Sequence, residues 1–290
     1  MDRATGSSGL LRGFRLSLTV EGLSPSTIAN YTRDARRFAD QMGEGLTSVT
    51  RSDITAYVAE FQSDHAPKTV REAQIALRRF LRFLVTEGEI ESDPTKDLKL
   101  VNVRPEPQPT YSEAEIKRLL MVCSPKNLVG IRNRAMILTL FDTGVREGEL
   151  VSMGLPDFEK ATVRVEGKTG VRFVPLGMAT LQAVERYVRR WGIDDGSLWR
   201  GEKGPLTCSG VLQAVRRLCL HAGVEHKGVH AFRRAAAAQM KRLGMNDSDI
   251  LEVMGWRSIE MLRRYTASVA EELAQEAHRK FSPADALAGR

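Results

Sequence analysis

The chain has 290 residues, 42% of them hydrophobic, with a formal net charge of +7 and a pI near 9.5. That apolar content supports one large or two small domains, and the positive balance favours an anionic partner. The absence of a run of about 18 apolar residues excludes a membrane-spanning helix. The N-terminus lacks a basic region followed by an apolar run, so no signal peptide is expected. Cys123, Cys208 and Cys219 form no C-x-x-C pair and no zinc spacing, and read as small buried residues of a reducing, cytoplasmic compartment.

Residues 1–8 are polar, and four helices are expected after them. Residues 9–22 carry Leu10, Leu11, Phe14 and Leu18 at helical spacing. Ser24-Pro25 is an N-cap followed by a first-turn proline, and it opens a helix with Ile28, Tyr31, Ala35 and Phe38 on one face. Ser52-Asp53 starts a third helix with Ile54, Val58 and Phe61 inward. Pro67-Lys68-Thr69 starts a fourth, running through Phe80, Leu81 and Leu84 to Gly88. No strand pattern interrupts this region, so residues 9–100 are expected to form an all-helical domain. Three prolines within 101–110 resist helix and mark a linker.

From residue 111 to 282 the pattern is mixed but mainly helical. Ser112-x-x-Glu115 resembles a capping box. An apolar helix is expected over 129–142 and is stopped by Gly144. Residues 162–176 alternate as a β-hairpin around Gly167–Gly170. Helices are expected near 178–191, 208–222, 229–243, 247–254 and 258–280, with a frayed tail after Ser282. The charge follows this division. Residues 1–100 hold 14 basic and 14 acidic residues, whereas residues 101–290 hold 29 and 22. Within the balanced half, Arg33, Arg36, Arg37 and the group Arg71, Arg78, Arg79, Arg82 read equally well as a basic face or as ordinary solvated helix surface.

The chemistry-bearing residues run in the order Arg146, Lys168, His230, Arg233, Trp256, Tyr265. Planar guanidinium groups stay charged and match phosphate oxygens, so Arg146 and Arg233 can form a clamp. Arg146 follows a Thr143-Gly144 turn into a helix, whose N-terminus would add partial positive charge, and Glu149 one turn on can brace it. Lys168, on the hairpin turn, can give a proton to a leaving hydroxyl. His230 and Arg233 are three apart and share a helix face. His230 can take a proton or bond a phosphate, whereas Arg234 points elsewhere. Trp256 offers an indole N–H. Tyr265 is a hydroxyl nucleophile whose phenol, with a pKa of about 10, needs activation by nearby cations. Each residue alone reads as ordinary surface or core; the ordered set points to metal-free cleavage of a nucleic-acid strand through a phosphotyrosine.

Thr143-Gly144-x-Arg146-x-x-Glu149-Leu150, Gly167-Lys168 with Arg172-x-Val174-Pro175-Leu176, His230-x-x-Arg233, and Gly255-Trp256 spaced to Tyr265 together resemble the tyrosine recombinase (phage integrase) family, including its Xer-type and mobile-element members. The resemblance covers nearly the whole chain. It implies a mostly α protein: a SAM-like core-binding domain over 9–100, a linker over 101–110, and a mainly helical catalytic domain with a small β-sheet over 111–282. It implies that Arg146 and Arg233 bind the scissile phosphate and that Lys168 protonates the 5′-hydroxyl. It also implies that His230 assists proton transfer and that Tyr265 forms a 3′-phosphotyrosine. Many members carry histidine where Trp256 stands, which shifts that position toward hydrogen bonding and packing. No cofactor or metal is implied. Double-stranded DNA is the implied partner, with a homo-tetramer assembled on it through a C-terminal helix bearing Val269, Leu273, Ala277 and Phe281. An accessory directionality factor and a nucleoid-associated location go with that reading. Between a phage or mobile-element integrase and a chromosome-dimer resolving recombinase, Trp256 leans toward the first. A type IB topoisomerase is disfavoured by His230, and a non-catalytic DNA-binding relative by the intact set.

Overall fold

A computed structural model describes residues 6–103, 108–167 and 170–288. The chain divides into two compact units, Met1–Pro105 and Glu106–Arg290.

The first unit is four helices: α1 (Ser7–Val20), α2 (Pro25–Met42), α3 (Arg51–Asp64) and α4 (Pro67–Thr86), with a 3₁₀ turn Gly43–Ser48 after α2. Its core collects the apolar faces read from spacing, with Phe14, Leu18, Phe38, Ile54, Phe80, Leu81 and Leu84 all buried. Ser24 caps α2 through the Thr27 N–H, as expected. α3 begins two residues earlier than expected, because Thr50 and Asp53 form a reciprocal capping box that wins over Ser52.

The second unit contains α5 (Glu113–Met121), α6 (Leu128–Thr143) and a single-turn helix α7 (Glu147–Val151). A hairpin of β1 (Thr162–Gly167) and β2 (Gly170–Pro175) follows, then α8 (Met178–Trp191), a two-residue pair β3 (Arg200–Gly201) and β4 (Gly204–Pro205), and α9 (Cys208–Ala222). The chain closes with α10 (His230–Arg242), α11 (Asp247–Met254), α12 (Ile259–Thr266), α13 (Ala270–Lys280) and α14 (Pro283–Leu287). Both sheets are two-stranded and antiparallel, with Val163 paired to Val174 and Gly167 to Gly170 in the first. The main core surrounds α6, whose buried residues lie all round it, and a satellite core of Ala236, Ala237, Ile250, Met254, Trp256 and Leu262 lies beneath α12.

Four expectations need correction. The helix expected over 258–280 is broken by a 3₁₀ turn at Ala267–Val269. The tail after Ser282 forms α14, capped by Ser282 on the Asp285 N–H. Val269, expected on the C-terminal helix with Leu273, Ala277 and Phe281, lies instead at the end of the 3₁₀ turn and is buried. Cys208 is exposed at the start of α9, while Cys123 and Cys219 are buried. Among the described residues no helix is long and apolar enough to cross a membrane.

Candidate active site

Five of the six candidates lie on short elements around the N-terminal end of α10; the sixth, Lys168, falls outside the described residues. α6 ends at Gly144, whose φ of +58° favours glycine, and a Cβ there would meet Met254 Sδ at 2.6 Å and Ala236 Cβ at 3.2 Å. Backbone conformation and space therefore both demand glycine, and the tight turn delivers Arg146 as the N-cap of α7.

Arg146 does not present a free helix end. Its N–H donates to Glu149 Oε2 (2.8 Å) and its Nη1 to Glu149 Oε1 (2.8 Å). The partial positive charge expected from the α7 terminus is thus engaged by a carboxylate, and the site's cationic character comes from guanidinium groups instead. Glu149 is 1% exposed and also receives Arg172 in a bidentate pair, at 2.7 and 3.0 Å. Burial pushes this carboxyl up, but hydrogen bonds from Arg172 and from Arg146 outweigh it and hold the pKa at about 2. Glu149 is therefore a permanently charged brace. Gly167 is shaped by it: a Cβ there would sit 2.8 Å from Glu149 Oε1. That close approach brings the β1–β2 hairpin against α7.

Arg233 is 1% exposed, deep under the site. Its two terminal nitrogens donate to the Gly144 and Met254 carbonyl oxygens, joining the ends of α6 and α11. Burial first, and then the charge of Arg146, lower its pKa to about 10, which leaves it charged at neutral pH. Its guanidinium carbon lies 4.9 Å from the Trp256 ring centroid and 5.9 Å from that of Tyr265. Trp256 is buried against Tyr265, with ring centroids 4.6 Å apart. Its indole Nε1, together with Arg233 Nε and Arg172 Nε, is buried without a hydrogen-bond partner among the described residues. Buried donors are rarely left unpaired; three of them around one site make it ready to receive an acceptor.

His230 opens α10, and its Nε2 is hydrogen-bonded to the Tyr265 hydroxyl on α12. One edge of His230 remains open to solvent. Desolvation on its packed side, followed by the charges of Arg234, Arg233, Arg146 and Arg264, lowers its pKa to about 4. The imidazole is therefore neutral at pH 7 and can accept a proton at Nε2.

Glu149 and Arg172 are parts of this site that the sequence reading did not count among its candidates. Glu149 entered it only as a brace, and Arg172 only as part of a motif. A signal for Arg172 existed: it lies two residues from buried Val174 on the inward face of β2, where a charged residue breaks the alternation. Among the described residues no three His, Cys, Asp or Glu side chains gather as metal ligands would.

Comparison with known proteins adds an independent line. The family model described as "Phage integrase family" matches residues 110–272, and "Phage integrase, N-terminal SAM-like domain" matches residues 12–88. The chain is 27% identical over 290 residues to Tyrosine recombinase XerC of Myxococcus xanthus, covering 93% of this chain and 97% of that one. Its fold resembles the Tn1549 transposon integrase solved with transposon right end DNA, with a TM-score of 0.76 at 19% identity over 94% of this chain and 99% of that one. It also resembles a lambda integrase tetramer solved on a Holliday junction, with a TM-score of 0.74 at 18% identity over 91% and 78% of the two chains.

Proposed function

The chain belongs to the phage integrase family and is a tyrosine recombinase, an enzyme that breaks and rejoins DNA strands, and we propose that Tyr265 is its nucleophile. The observation that carries this is the hydrogen bond between the Tyr265 hydroxyl and His230 Nε2, set among Arg146, Arg233 and Trp256. In this reading a DNA phosphate seats on Arg146, Arg233 and the Trp256 indole N–H. The Tyr265 oxygen attacks phosphorus as its proton passes to His230 Nε2. The bond to the 5′-oxygen breaks, that oxygen takes a proton from Lys168, and a 3′-phosphotyrosine remains. The bound phosphate offsets the four arginines around His230, which raises its basicity when it must accept the proton. Preorganised cations aimed at developing phosphoryl charge are the larger part of such catalysis.

Residues 9–100 are the core-binding domain, 101–110 the linker and 111–282 the catalytic domain in this reading. Double-stranded DNA is the partner, bound in a salt-sensitive way. A homo-tetramer assembles on it through α13, and an accessory factor sets direction, in the cytoplasm. Support for an assembling role comes from α13 having no buried residue and from Phe281 being 79% exposed, although Glu272 pairs with Arg242 of its own chain. Trp256 supports a phage or mobile-element integrase. The near end-to-end likeness to Tyrosine recombinase XerC supports a chromosome-dimer resolving role.

Incubation with nicked duplexes carrying a randomised core tests the nucleophile. A denaturation-resistant protein–DNA adduct is expected from the wild type and none from Tyr265→Phe. An adduct that survives in Tyr265→Phe overturns the assignment. Sequencing the trapped DNA against chromosome and element ends separates the two biological readings.

A further inference from the structure

The helix that carries His230 and Arg233 starts without a side-chain cap: Val229 stands at the N-cap position in a helical conformation and makes no capping bond. Its first-turn amides are held by backbone bonds alone, from Ala231 to the Gly228 carbonyl oxygen and from Phe232 to that of Val229, and a second set of contacts adds to these. The segment entering the second unit, residues 109–115, lies along that turn. Arg234 Nε donates to the Pro109 carbonyl oxygen at 2.8 Å, and Thr110 Oγ1 donates to the Ala231 carbonyl oxygen at 3.3 Å. The Tyr111 ring packs on Phe232, with centroids 4.5 Å apart, and its hydroxyl accepts the Lys227 N–H at 3.0 Å. Lys227 Nζ then closes the clasp, donating to the Thr110 carbonyl oxygen at 3.1 Å and to both Glu115 oxygens at 2.7 and 2.8 Å. The Lys227 and Glu115 side chains are each only 15% exposed, so this pair is better shielded than a surface ion pair.

The geometry matters because Arg233 and Arg234 are neighbours, about 100° apart around the helix. Arg233 ties α10 to Gly144 and Met254; Arg234 ties it to Pro109. Two guanidinium-to-carbonyl tethers in different directions fix the rotation of α10 about its own axis. His230 lies one turn before Arg234 on the same face. A rotation of about 10° moves a side chain at about 5 Å from the axis by about 1 Å. A displacement of that size at a reacting group can cost about a hundredfold in rate.

We propose that the strap Pro109–Glu115 sets the position of His230 against Tyr265, with Arg234 and the Glu115–Lys227 pair as its two anchors. This entry segment of the second unit is thereby a positioning element of the proposed active site. This rests on the reading of His230 as proton acceptor and Tyr265 as nucleophile. Arg234, which the sequence sets aside as pointing elsewhere, is a positioning residue through its contact with Pro109.

The test uses the full chain and the nicked randomised-core duplexes. Glu115→Gln keeps the capping role at the start of α5, which glutamine also fills, while removing the ion pair with Lys227. Arg234→Ala removes the other anchor, and Arg234→Lys keeps a donor and a charge. At saturating protein, adduct formation is expected to fall about tenfold in Arg234→Ala and about threefold in Glu115→Gln, with partial rescue in Arg234→Lys. Non-covalent DNA affinity, measured by anisotropy in a Tyr265→Phe background, should change less than about twofold in Glu115→Gln, as expected for a group with no ground-state role. The double variant Glu115→Gln/Arg234→Ala should lose less than the product of the single effects, because both anchors act through one strap. Hydrogen exchange at the first-turn amides of α10 should quicken in both single variants. An unchanged adduct rate in Glu115→Gln overturns the proposal, whether or not Arg234→Ala is impaired. Unchanged exchange in both variants overturns it as well. If the wild type forms no Tyr265-dependent adduct, the nucleophile assignment fails on its own, and the exchange measurement still decides whether the strap holds α10.

Discussion

The two units use arginine in different ways. In the first, the helices bury aliphatic and aromatic faces, and the arginines of α4 are spent on its edge. Arg71 donates to the Val101 carbonyl oxygen and Arg78 to that of Leu98; Arg79 pairs with Glu21, and Arg82 with Asp93. The first unit also buries Asp34, 8% exposed and paired with Arg33, but the second takes charge deeper: Glu149 and Arg233 are 1% exposed and Arg132 is 5% exposed. Buried charge costs desolvation and persists only when paired or hydrogen-bonded. Glu149 and Arg233 bear that cost at the candidate site, whereas Arg132 bears it elsewhere, bonded to Asn133 and the Arg200 carbonyl oxygen. All four of the α4 group have partners within the unit, some on loop carbonyls and some on carboxylates.

If the first unit is held by apolar packing, Phe80→Ala, at a position 0% exposed, should destabilise it by about 3–5 kcal/mol, from lost burial plus a cavity. Urea unfolding followed by circular dichroism reads this; a cost below about 1 kcal/mol would remove the basis of the contrast. If the second unit depends on internal charge, Arg233→Ala should cost about 2–4 kcal/mol, since it strands the Gly144 and Met254 carbonyl oxygens as well as removing the proposed phosphate ligand. Its adduct formation should also be lost, and a variant of wild-type stability would show that the tethers hold nothing.

Glu149 sharpens the comparison through pH. Its folded pKa of about 2 lies below the unfolded value of 4.5, so its contribution is present in full above pH 4.5 and is lost as pH falls toward 2. That contribution is about 3 kcal/mol for a buried group with a shift of this size. The urea midpoint of the wild type should therefore fall more between pH 6 and pH 3 than that of Glu149→Gln. Parallel pH profiles would mean that the two arginines do not stabilise the carboxylate. At the small end, Arg82→Ala removes an ion pair whose arginine is 66% exposed, and should change stability by less than about 0.5 kcal/mol. A larger loss would show that the α4 edge carries more than exposed pairing.

Much of this was readable from spacing. The four helices of the first unit, the Ser24 and Ser112 caps and the 162–176 hairpin follow from local patterns, because caps and amphipathic periods act over three or four residues. The break at Ala267–Val269 was not readable, and the start of α3 at Arg51 was missed although the local pattern Thr50-x-x-Asp53 carried it. The ordered set from Arg146 to Tyr265 was also legible, because residue type and sequence order carry chemistry.

What the sequence could not decide was how those residues are held. Arg233 could be recognised as a cation, but not as the tether between the ends of α6 and α11. Arg234 could not be recognised as a partner of Pro109, 125 residues away. The sequence by itself determined the helical two-part plan, the family and the candidate residues for the chemistry, because these depend on composition, periodicity and motif order. Only the tertiary structure decided that His230 meets Tyr265, that one buried carboxylate serves Arg146 and Arg172, and that residues 109–115 strap α10. Those pairings lie between residues far apart in the chain, and nothing short of the closed, desolvated core gives a buried charge a reason to choose one partner over another.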